Sequence, residues 1–82
     1  MEQWRAIVTF SLDADESSAV RNRVDRAIEA LPFNKRKTGI YESCGSPAEF
    51  VAVGIARVVH ELARPDAHLD HAWIRLARVV GE

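Results

Sequence analysis

The sequence predicts an α/β fold of the α+β sandwich type, a ferredoxin-like βαββαβ unit with both helices on one face of an antiparallel sheet. Three observations predict it. Gln3 to Leu12 alternates in polarity residue by residue, which is the period of a strand with one buried face. Two later segments carry apolar residues at helical spacing and are stopped by Pro32 and Pro65. A final alternating stretch closes the chain, so the elements fall in the order of that unit.

The first strand, Gln3 to Leu12, places Trp4, Ala6, Val8, Phe10 and Leu12 on one face. Gln3, Arg5, Ile7, Thr9 and Ser11 take the other, and only Ile7 there is strongly apolar. Acidic residues Asp13, Asp15 and Glu16 follow. Carboxylates at that point accept the free backbone N–H groups of a helix start and complement its dipole. The first helix is expected to run to about Leu31, with Val20, Val24, Ala27, Ile28 and Leu31 on its apolar face. Residues 33–44 read either as two short strands, with Thr38-Gly39 as a turn, or as one bent strand with a bulge at Gly39. Ile40 to Cys44 is the aromatic-bearing part, and Gly45 breaks the pattern.

The second helix has the clearest start. Ser46 reads as N-cap, Pro47 as first helical residue and Glu49 as the return partner of a capping box. Ala48, Val51, Ala52, Ile55, Val59 and Leu62 form one apolar face, with a second patch at Phe50, Val53, Gly54 and Val58. The last strand is read from Leu69 to Val80, with Ala72, Ile74 and Leu76 alternating with Trp73, Arg75 and Ala77. The expected core is Ala6, Val8, Phe10, Val24, Ile28, Val51, Ile55, Val59, Ile74 and Leu76. The open sheet face is expected to carry Arg5, Ile7, Tyr41, Trp73 and Arg75.

With 82 residues the chain, 1–82, is a single domain, and a domain of this size buries a modest share of its surface. A net charge of -1 argues against an indiscriminate nucleic-acid binder. The single cysteine, Cys44, permits no internal disulfide and reads as a small buried hydrophobe. The N-terminus lacks a signal peptide pattern and no apolar run reaches bilayer length, so a cytoplasmic protein without membrane contact is expected.

Lys35-Arg36-Lys37 is the only basic run. Together with Arg5, Arg75, Tyr41 and Trp73 it composes a basic, aromatic face suited to single-stranded nucleic acid, or to a partner protein. The same chemistry suits a homodimer interface centred on Ile7, Tyr41 and Trp73. The alternative interface is Phe50, Val53 and Val58 on the second helix. His60, His68 and His71 match no metal spacing, and no metal site is expected from them. No phosphate loop or nucleophile motif is present.

The chain resembles the Cas2 and VapD families, small ferredoxin-like proteins of CRISPR and toxin systems. The resemblance rests on Phe10-Ser11-Leu12 followed by acidic residues, on Arg21-Asn22-Arg23-Val24, and on the segment Leu31 to Glu42. It spans most of the chain in order and spacing. It implies a homodimer in a mobile-element or defence setting. In those families an aspartate follows the aromatic and binds a divalent metal; here Ser11 stands there, a poor ligand for a hard cation. The expected function is therefore a small homodimeric binding or adaptor protein, non-catalytic and associated with nucleic acid or another protein, with no cofactor. The alternative is a metal-dependent endonuclease acting on RNA or DNA through Asp13 or Asp15 with Mg or Mn.

Overall fold

The computed structural model describes residues 3–15 and 18–79; Glu16 and Val80 lie outside them. The elements are β1 (Gln3–Leu12), α1 (Ala19–Ala27), β2 (Asn34–Lys37), β3 (Ile40–Ser46), α2 (Ala48–Leu62) and β4 (Leu69–Val79). The four strands form one sheet in the order β2-β3-β1-β4, and every neighbouring pair is antiparallel. No helix among the described residues is long and apolar enough to cross a membrane.

The alternation of β1 sets the layers. Ala6, Val8, Phe10 and Leu12 are buried, and they pack with Val20, Val24 and Ile28 from the α1 side and Val51, Val58 and Leu62 of α2. Both helices therefore cover one face of the sheet. Burying side chains of this size stabilises each by about 1.5–3 kcal/mol relative to exposure. α1 is shorter than its spacing suggested. It ends at Ala27, and turns carry Ile28 into the core and Leu31 onto its margin before Pro32.

Residues 33–44 are two strands. Thr38 and Gly39 make the turn between β2 and β3, and Gly39 takes φ 77° there. A side chain at Gly39 would meet the Phe10 carbonyl oxygen at 2.5 Å, so both conformation and space require glycine. β3 also runs past Gly45 to Ser46. Gly45, again at φ 77°, lies in the stretch where the β1–β3 register slips, instead of ending the strand.

That overrun removes the expected capping box. Ser46 belongs to β3, is buried, and its hydroxyl is 3.0 Å from the Ser43 hydroxyl. Pro47 occupies the N-cap position of α2, which has no side-chain cap, while Phe50 and Val51 donate their N–H groups to its carbonyl. Glu49 remains in the first turn, where its charge complements the dipole.

The expected core is corrected in two elements, α2 and β4. In α2 the buried residues are Val51, Gly54, Val58 and Leu62; Val59 is 47% exposed, and Ile55 is only partly buried. The helix is thus rotated so that Gly54 and Val58 face inward. Ile74 and Leu76 are 45% and 54% exposed. They lie opposite Val8 and Ala6, on the helix-covered side, but the helices do not reach over β4.

Candidate interaction surface

β4 is an edge strand, and its side chains are exposed from Leu69 to Arg78. Its backbone orientation follows from one hydrogen bond. Phe10 N–H donates to the Gly39 carbonyl at 2.9 Å, so the even residues of β1 turn their backbone groups to β3. The odd residues of β1 then turn theirs to β4, where they pair with odd partners such as Arg75 and Trp73. Backbone groups alternate in direction along a strand. Ala72, Ile74 and Leu76 consequently present their N–H and C=O groups to the free edge.

On the helix side, Leu76 and Trp4 form one wall of an apolar groove whose other wall is Ala48, Val51, Ala52, Ile55 and Ala56 of α2. The groove holds about 420 Å³. Arg78 sits over the Trp4 ring, 5.6 Å from its centroid, and shields that end. The lining is apolar because α2 turns its flank of small residues toward a strand it leaves uncovered. A groove of this kind binds apolar surface and offers little for chemistry.

On the opposite face, Ile7 lies between Glu42 of β3 and Arg75 of β4, and Trp73, 66% exposed, lies beside Thr9. His71 meets the Trp73 ring edge-on, with centroids 6.2 Å apart. Arg5, Ile7, Arg75 and Ala77 line a shallow depression. Arg5 and Arg36 both hold the Glu42 carboxylate, through Nε at 2.6 Å and an Nη at 2.9 Å. Glu42 thus offsets part of the positive charge expected here, a contribution that sequence spacing alone did not disclose.

Tyr41 does not join this face. It pairs with Val8, is buried, and stacks on Phe10 at 6.0 Å. Its hydroxyl donates to Asp25. Burial pushes the phenol well above the usual tyrosine range, and the hydrogen bond to Asp25 and that carboxylate's charge add to the shift. The basic run is also divided. Lys35 pairs with Tyr41 and reaches Asp25 on the helix side at 3.6 Å, whereas Arg36 lies over Glu42. Lys37 lies opposite Ile40 at the end of β2 and is exposed. Cys44, expected inside, is exposed beside Arg5 and Asn34.

The acidic candidates separate. Asp15 accepts the backbone N–H groups of Val20 and Arg21 at 3.2 and 3.3 Å, and its carboxylate meets the Arg21 guanidinium at 3.0 Å. It caps α1. Asp13 lies beyond the end of β1, exposed, with its backbone N–H donated to the His68 carbonyl. No group of three His, Cys, Asp or Glu among the described residues is arranged to hold a metal ion. Of the second-helix patch, Phe50 and Val53 are exposed and Val58 is fully buried, so Val58 is unavailable to a partner.

The chain matches no family model, no curated protein and no solved structure.

Proposed function

We propose that the protein is a small, non-catalytic binding module that acts as a homodimer in the cytoplasm, on a ferredoxin-like sandwich. One observation carries the reading. β4 is an edge strand with exposed apolar side chains on both faces: Trp73 on the open side, Ile74 and Leu76 on the helix side. Folded chains blunt such edges or cover them, because unpaired backbone and apolar surface together invite association. The strand order and the placement of both helices on one face support the ferredoxin-like reading.

The open face is the surface this reading leaves to a second partner. Trp73 supplies a stacking platform and Arg5, Arg36 and Arg75 supply charge, which favours single-stranded nucleic acid. The mobile-element or defence setting rests on the Cas2 and VapD resemblance. Asp15 is occupied in capping α1, so the reading assigns it no metal-ligating role and leaves Asp13 as the remaining acidic candidate of an endonuclease.

Analytical ultracentrifugation of the wild type and of Trp73→Glu and Leu76→Glu tests the association. A dimer at micromolar concentration that both substitutions weaken is the expected result. A monomeric wild type would overturn the homodimer. Incubation with labelled RNA and DNA in magnesium, manganese and EDTA tests the absence of catalysis: metal-dependent cleavage lost in Asp13→Ala would replace this reading with the nuclease.

A further inference from the structure

The geometry points to a specific form of that dimer: β4 pairs antiparallel with β4 of a second copy, about a two-fold axis through Ile74. The inference rests on the homodimer reading and adds its register and its recognition chemistry. β4 runs from Leu69 to Val79 with Ile74 at its midpoint, and its ladder to β1 is regular from His71 onward. The even residues turn their backbone groups outward, so Ile74 exchanges both hydrogen bonds with its own copy. Ala72 and Leu76 do the same with each other's counterparts.

Side chains favour the same register. On the helix side, Ala72, Ile74 and Leu76 of the two chains form one continuous apolar strip. Asp70 takes no part in the strip, because the β1–β4 register shifts there and its carboxylate lies 3.0 Å from His71 Nδ1, on the side of Trp73. On the open side Trp73 lies opposite the second copy's Arg75, a cation beside an indole face, and the match occurs twice. Neighbouring registers lose these matches. Moving the axis to Trp73 sets the two indoles against each other and Arg75 against His71. Moving it to Arg75 sets two guanidinium groups directly opposite, which is repulsive. Pairing converts two four-stranded sheets into one continuous sheet and hides both exposed edges.

Exchange of Trp73 and Arg75 tests the register in the full-length chain by sedimentation. Trp73→Arg sets two guanidinium groups against one another on both sides of the axis. It is expected to weaken the dimer about tenfold, the scale of two disrupted cross-strand pairs. The double variant Trp73→Arg with Arg75→Trp restores a cation beside an indole at both places and is expected to recover most of the affinity. A misfolded single variant would not be rescued in that way. Ile74→Pro removes the outward N–H at the axis without touching the bonds to β1, and is expected to dissociate the dimer with the circular dichroism unchanged. A dimer indifferent to all three variants but dissociated by Phe50→Glu would overturn this pairing and leave the homodimer standing. A wild type that stays monomeric would overturn both.

Discussion

The ring of Phe33 occupies the space into which a side chain on Gly54 would project; a methyl group there would stand 2.2 Å from Phe33 Cε1. This contact joins the segment after α1 to the middle of α2, and it explains why the inward line of α2 runs through a glycine. Helix propensity alone favours Gly54→Ala by about 1 kcal/mol. The buried Phe33 ring opposes it, because overpacking of this kind costs about 1–3 kcal/mol. We expect Gly54→Ala to lower stability by about 1 kcal/mol, read as a lower urea midpoint. A higher midpoint would mean that the ring moves aside without cost.

Asp15 takes the role that Ser18 leaves empty. Ser18, at the N-cap position of α1, makes no side-chain cap, and the Asp15 carboxylate reaches the N–H groups of Val20 and Arg21 instead. Asp15→Ala removes that cap and the partner of Arg21, and should cost about 1–2 kcal/mol. Asp15→Asn keeps an acceptor and should cost less. Equal losses in chemical denaturation would assign the effect to the ion pair with Arg21.

Tyr41 makes stability depend on alkaline pH. Its phenol is held neutral in the fold by burial and by Asp25, so its folded pKa lies above the unfolded value of about 10. Above that pH the unfolded chain gives up the proton and the folded chain keeps it. Stability is therefore complete below about pH 10 and falls as pH rises further. Tyr41→Phe should flatten this alkaline loss, at a cost of about 1–2 kcal/mol at neutral pH for the missing hydrogen bond. An unchanged alkaline slope would place the titrating group elsewhere.

The core of β1 was legible because a period of two admits one buried face, and Ala6, Val8, Phe10 and Leu12 are the buried set. The same alternation in β4 was equally visible, yet Ile74 and Leu76 stay half exposed. Alternation reports which residues share a face; it does not report how far the helices extend over it. Tyr41 was assigned to the wrong face because one residue of register inverts every side chain. That register follows from the turn at Thr38 and Gly39, which the sequence left open between a turn and a bulge.

The rotation of α2 was hidden for a related reason. Its apolar residues spread over two adjacent patches, and Gly54, which adds nothing to a hydrophobic pattern, is the residue that sits deepest against Phe33. Glu42 was missed as the partner of two arginines because they come from two different strands, β1 and β2, on either side of its own. Its charge, the only one in β3, was the one available signal.

Self-association through β4 should make thermal stability depend on concentration. Only folded chains present a paired edge, so dimerisation draws the equilibrium toward the folded state by mass action. For a domain of this size the melting temperature should rise by about 3–5 °C for each tenfold increase in protein. Leu76→Ser removes part of the shared apolar strip. Because Leu76 is already half exposed in the single chain, the variant should melt near the wild type at high dilution and fall progressively below it as both are concentrated. Differential scanning calorimetry across two decades of concentration reads both effects. Parallel curves for the two proteins would assign Leu76 a role in the monomer only, and a flat wild-type curve would show that the folded chain gains nothing from a second copy.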